Sequence, residues 1–197
     1  FLPFYRAMYL GQATAIWFGL AALLFLAIER ENVALAGLIT AILPLKPQAG
    51  LVFAIYGLIW GILNKEKTML IWMAISAAVY ILPSFILQPN WPMKWINQIQ
   101  VYRAIVTPAT ILPWALVLVL ACWHLPWPAR LAAIQVVIFP ISDVYSTLPL
   151  LFCWLYLKPS SAAIGASITW LWSVLKAPNS VEMLWVFVIS PLMLASI

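Results

Sequence analysis

Apolar runs broken by short polar or proline-rich stretches set the pattern of the chain. After a lead-in over residues 1–10, the pattern predicts a helix from about Gly11 to Ile28, closed by the polar turn Glu29-Arg30-Glu31-Asn32. The next apolar run, Val33 to Asn64, is interrupted by Leu43-Pro44-Leu45-Lys46-Pro47-Gln48-Ala49-Gly50. Two prolines three apart cannot share one regular helix, because each lacks an N–H and its ring collides with the preceding turn. The residue before each is also pushed out of the α region. The spacing therefore predicts a helix from Val33 to Leu43, a break, and a second helix from Gln48 to Leu63. At about 1.5 Å per residue the first piece spans roughly 16 Å, half a bilayer core. Further helices are expected over Thr68–Leu87 with Pro83 inside, Pro108–Trp123, Leu131–Phe139, Val144–Leu157, Ala162–Leu175 and Val181–Ile197. The most polar stretch is residues 88–107. There Trp91, Trp95, Ile96, Ile99 and Tyr102 fall at helical spacing on one side, with Lys94, Asn97, Gln98 and Arg103 toward the other, as in an amphipathic helix lying in a membrane interface.

Composition sharpens this picture. The 197 residues are 66% hydrophobic and 8% charged, far below the roughly 25% charge of soluble domains. The expected class is all-α: a polytopic helical membrane protein of about 7–9 transmembrane or half-membrane helices in a single transmembrane domain, 1–197. A membrane β-barrel would show alternating polarity, which is missing here. The opening Phe1-Leu2-Pro3-Phe4 carries no methionine, charged n-region or cleavage site, so it reads as the middle of a longer chain and not as a signal peptide. Cys122 and Cys153 read as small buried hydrophobes, since two cysteines make no disulfide framework. A single histidine, His124, excludes bis-histidine haem within this chain; no cofactor and no metal are expected. The net charge of +5 is spread out, which argues against nucleic acid and for anionic head groups or phosphates. Trp91, Trp95, Trp114, Trp123, Trp127, Trp170 and Trp172 read as interface belt and packing.

If every segment reverses, one side collects Arg6, Lys46, Lys94, Arg103, Asp143 and Lys176, and the other Arg30, Lys65, Lys67, Arg130 and Lys158. Five basic residues on each side give no orientation by the positive-inside rule. Lys46 itself has two readings: a favourable lysine at a helix C-terminus, or a cation presented at a functional break. The tripeptide Leu-Lys-Pro recurs at 157–159, where the C-terminal reading suits Lys158.

The order Gly11-Gln12-Ala13-Thr14, a short charged turn, Ala36-Gly37, Leu45-Lys46-Pro47-Gln48 and Asn64-Lys65-Glu66-Lys67 resembles the GT-C class of membrane glycosyltransferases. The closest likeness is to the bacterial polyprenol-phosphate-dependent mannosyltransferases, over roughly residues 8–105; beyond these, Pro140, Asp143 and Tyr145 are similar to a Pro…Asp-x-Tyr element. The resemblance implies a polytopic enzyme of the bacterial inner membrane. It would transfer a sugar, with inversion, from a polyprenyl-phosphate donor on the extracytoplasmic face. Its partners would be the lipid-linked sugar, membrane lipids and further membrane proteins. Lys46 would stand at the donor phosphate, with Arg103 and Lys94 adding to a cationic rim. Family members carry an acidic general base on an N-terminal extracytoplasmic loop. Here the acids are Glu29, Glu31, Glu66, Asp143 and Glu182, and none precedes Gly11. Asp143 is the candidate base on the Lys46 side, its other reading being a helix cap; His124 falls at the wrong end of its segment. The chain thus stands as an active, truncated or inactive transferase. The alternative is a non-catalytic subunit of a larger membrane complex. A transporter is the third reading, with Asp143 as its sole candidate for a coupling-ion carboxylate.

Overall fold

The computed structural model describes residues 8–9, 12–105, 119–120, 122–138 and 148–175. Among these, every regular element is helical: α1 (Thr14–Glu29), α2 (Val33–Ile42), α3 (Pro47–Leu63), α4 (Lys67–Leu87), α5 (Trp91–Ile105), α6 (Trp127–Ile138), α7 (Leu151–Trp154) and α8 (Pro159–Leu175). Single 3-10 turns occupy Leu43–Leu45 and Cys122–His124. The all-α expectation therefore holds for the described residues.

Local chemistry explains the boundaries. The α1 helix ends in a turn where Glu31 takes φ 56°, its N–H bonding Ile28 O at 3.1 Å while Asn32 N–H reaches Ala27 O at 2.8 Å. This crossed pair closes a helix with a left-handed residue. Asn32 then caps α2, its side chain accepting from Leu35 N at 3.2 Å. The same device ends α3: Lys65 has φ 57°, and Lys65 and Glu66 bond back to Ile62 O and Gly61 O. Pro47 stands at the first position of α3, where no intrahelical N–H is needed.

The chain folds back at the paired prolines. Along α2 and α4, Gly37 meets Met69 and Met73, Ser76 Oγ donates to Leu38 O at 3.5 Å, and Tyr80 OH donates to Ala41 O. Contact positions rise together, so α2 and α4 are parallel. The α3 helix returns between them, with Gly57 against Thr40 and Gly61 against Met69. Trp17 bonds Leu43 O at 2.9 Å and Phe25 packs on Phe53 and Tyr56, so α1 is parallel to α3. The α6 helix runs antiparallel to α3: Gln135 touches Pro47 and Val52, and Trp127 faces Tyr56. The break and the C-terminal ends of α2, α4 and α6 thus share one end of the bundle. The turns at 30–32 and 64–66 and the start of α6 share the other.

Helix α3 is the central element and buries Ala49, Gly50, Val52, Phe53, Ala54, Gly57 and Gly61. Phe18, Phe25, Phe53 and Phe152 form an aromatic knot, with successive ring centroids 4.8–6.0 Å apart. Gly50 allows a close approach at the break, because a Cβ there would collide with Leu43 O and stand 2.9 Å from Trp17 Cδ1. Among the described residues, α4 alone is long and apolar enough by length and composition to cross a membrane. It buries only Met69 and exposes Ile71, Ile75, Val79, Leu82, Ile86 and Leu87.

Several element boundaries differ from the sequence pattern: α1 begins at Thr14 instead of Gly11, α8 begins at Pro159 instead of Ala162, and the helix expected to reach Trp123 gives way to a 3-10 turn at Cys122–His124. The helix expected at Leu131 begins four residues earlier, because Pro128 fits a first turn instead of preventing one. The helix expected over Val144–Leu157 is, in its described part, a 3-10 turn at 148–150, the four residues of α7 and a closing turn. There Leu155, Tyr156 and Leu157 N–H groups bond to Leu151, Cys153 and Trp154 carbonyls. The α4 helix continues through Pro83. The segments 108–118 and 181–197 lie outside the described residues.

Candidate functional site

The break between α2 and α3 is where polar chemistry enters the bundle. Leu43–Leu45 tightens into a 3-10 turn, and Lys46 then takes φ −126°, ψ 81°, which turns the chain into α3. Lys46 C=O accepts the N–H groups of Ala49 and Gly50 at 2.9 and 3.0 Å, so its own peptide caps the new helix. The half-buried Lys46 side chain reaches back to the start of α1. Its Nζ donates to Thr14 Oγ1 at 2.8 Å and to Gln12 Oε1 at 3.5 Å. Thr14 is 2% exposed, so this hydroxyl is held inside the fold and points at the ammonium. Lys46 lies outside both helices, and desolvation lowers its pKa from the ordinary lysine value.

Two further residues fix the break. Trp17 Nε1 donates to Leu43 O at 2.9 Å, tying α1 to the last carbonyl before the 3-10 turn. Gln135 is fully buried; its Oε1 accepts from Val52 N at 2.8 Å and its Nε2 donates to Pro47 O at 2.9 Å. One amide on α6 thus bonds the first turns of α3 with both of its ends, and a buried amide left unpaired would be costly. Gln135 escaped the sequence reading, although it is the lone polar side chain in its apolar run. That isolation was the signal available. Thr14 and Gln12 were visible only as letters opening a helix, and nothing local to them reports a lysine 32 or 34 residues away.

The other expected site residues stand as follows. Lys94 is exposed on α5, and among the described residues no hydrogen bond joins it to Lys46, Thr14 or Gln12. The α5 helix follows the C-terminal end of α4, with Trp91 packed on Phe85 at 5.7 Å, so Lys94 belongs to the Lys46 end of the bundle. Trp95 and Ile96 of α5 are exposed. Arg103 lies in α5, with its side chain outside the described set; Asp143 lies outside the described residues. Glu29, Glu31 and Glu66 occupy the turns at the end opposite Lys46, and exposed His124 is in the turn leading into the start of α6, at that same far end. No group of three or more His, Cys, Asp or Glu suited to a metal ion occurs among the described residues. Cys122 and Cys153 are free buried thiols with Sγ atoms 3.7 Å apart.

No known family model matches the chain, and neither a curated protein nor a solved structure does.

Proposed function

We propose that this chain is a polytopic protein of the bacterial inner membrane that transfers a sugar from a polyprenyl-phosphate donor, in the manner of GT-C glycosyltransferases. The observation that carries the reading is the meeting of two separated motifs: Gln12 and Thr14 converge on Lys46 at the proline break. In a transferase of this kind the leaving group is a phosphate whose negative charge grows as the glycosidic bond breaks. A lysine fixed by a threonine hydroxyl and an amide oxygen, at the first turn of a helix, is a preorganised cation for that charge. Membrane placement is supported by the 66% hydrophobic composition and by the exposed apolar surface of α4. Donor binding would fall to Lys46 with Lys94 and Arg103, and proton removal from the acceptor to Asp143.

The deciding experiment measures release of polyprenyl phosphate from polyprenyl-phosphate mannose and related donors, and the matching glycosidic product, in proteoliposomes supplied with hydroxyl-bearing sugar acceptors. Wild-type protein is expected to turn over, and Lys46→Ala to lose turnover while keeping its melting midpoint within a few degrees. Equal turnover in the variant would remove Lys46 from the chemistry.

A second reading, a non-catalytic subunit of a membrane complex, is favoured by one observation. Every described acidic residue lies at the end remote from Lys46. Absence of turnover with all donors, together with stoichiometric co-purification of other membrane subunits, would select it.

A further inference from the structure

The geometry points to a second ligand site, at the end of the bundle remote from Lys46: Arg130, Trp123 and Trp127 form a docking point for the phosphate of an anionic membrane lipid. Arg130 projects from the first turns of α6, beside the 3-10 turn that carries Trp123. Its guanidinium carbon lies 5.3 Å from the Trp123 ring centroid and 5.1 Å from that of Trp127. Its Nε donates to Leu125 O at 2.6 Å. These contacts aim the group without neutralising it. A guanidinium has five N–H donors in a planar fork, and only the Nε donor is bonded within the described residues. No carboxylate among the described residues pairs with it, the three described acids being Glu29, Glu31 and Glu66.

The platform beneath the group is rigid. Leu125 and Ala129 are buried, and Trp127 packs on Tyr56 of α3 with centroids 6.4 Å apart. The upper surface is open, since Trp123 and Trp127 are 55% and 53% exposed. An indole suits the level where acyl chains meet head groups, and a guanidinium fork matches two phosphate oxygens. A lipid fills both needs at once, its phosphate on Arg130 and its glycerol and upper chain on the indoles. A free phosphate would leave the exposed surface of the two rings uncovered. Exposed Arg30, Lys65 and Lys67 occupy the same end and add attraction for an anionic surface. If the Lys46 end is extracytoplasmic, Arg130 faces the cytoplasmic leaflet, where anionic lipids gather.

This inference rests on the membrane placement proposed above and not on sugar transfer. Its assay contains no donor, so the two readings fail separately. Purified protein in nonionic detergent is mixed with equimolar dioleoyl phosphatidylglycerol and dioleoyl phosphatidylcholine, and retained lipid is counted by native mass spectrometry. Wild type is expected to retain phosphatidylglycerol preferentially. Arg130→Gln should cut that retention about tenfold or more, the worth of a charged hydrogen-bonded contact, while phosphatidylcholine is unchanged. Arg130→Lys should fall between. Lys67→Gln, at the same end, should change retention less than about twofold, as for a solvent-screened charge. If Arg130→Gln does not fold, Trp123→Leu combined with Trp127→Leu decides, with an expected loss of preference. Equal retention of the two lipids by wild type would overturn the proposal. So would undiminished preference in the folded variant, an equal loss in Lys67→Gln, or displacement of phosphatidylglycerol by millimolar inorganic phosphate.

Discussion

Replacing Gln135 by Leu removes the amide that joins α6 to the first turns of α3 while keeping an apolar side chain of similar size. In the native fold this amide is fully buried and bonds Val52 N and Pro47 O at 2.8 and 2.9 Å. Losing the acceptor for a buried N–H costs about 1–3 kcal/mol. Losing the donor to the Pro47 carbonyl costs about 0.5–1.5 kcal/mol, since a carbonyl has a second lone pair to share. Together these give about 2–4 kcal/mol, partly offset by the better transfer of Leu into an apolar interior. For a chain of this size that lowers the melting midpoint by roughly 5–15 °C. The assay is thermal unfolding in one detergent, followed by circular dichroism. Gln98→Leu, an exposed change on α5, serves as the comparison and should stay within about 0.5 kcal/mol of wild type. A Gln135→Leu midpoint within about 1 °C of wild type would show that the two bonds add nothing and refute the reasoning.

Three further outcomes follow from the same geometry. Glu31→Gly and Lys65→Gly, at the left-handed turn residues, should each raise stability by about 0.5–1 kcal/mol because a Cβ is strained at positive φ; unchanged midpoints would count against those turns. Phe53→Ala, opening the aromatic knot at a residue 1% exposed, should cost about 3–5 kcal/mol in the same unfolding assay. Cys122 and Cys153, 3% and 1% exposed, should resist a maleimide in native protein and both react after denaturation; rapid native labelling would contradict their burial.

Much of the fold was legible because proline, glycine and charge act locally. The break at Leu43–Pro47 follows from two missing N–H groups, and the ends of α1 and α3 from short polar turns between apolar runs. Boundaries failed where one letter serves two purposes. Pro128 falls in the gap between the two helices expected over Pro108–Trp123 and Leu131–Phe139, yet it sits in the first turn of α6. Residues 148–157 have the apolar content of a helix, yet their backbone bonds run largely over shorter loops around α7. Of the site, Lys46 was legible because a cation in an apolar break has few structural excuses. Gln135 was not, because a glutamine is remarkable only when its surroundings are known.

The sequence by itself determined a helical, strongly apolar chain, the place where it bends and the single ammonium in that bend, since these depend on backbone sterics and on the cost of burying polar groups. Only the tertiary structure decided that the bend reverses the chain, that Thr14 and Gln12 hold Lys46, and that Gln135 braces α3 from 83 and 88 residues away. Those contacts join segments whose separation along the chain carries no local signal. They form because α1, α2, α4 and α6 must share one central helix to bury its small and aromatic residues.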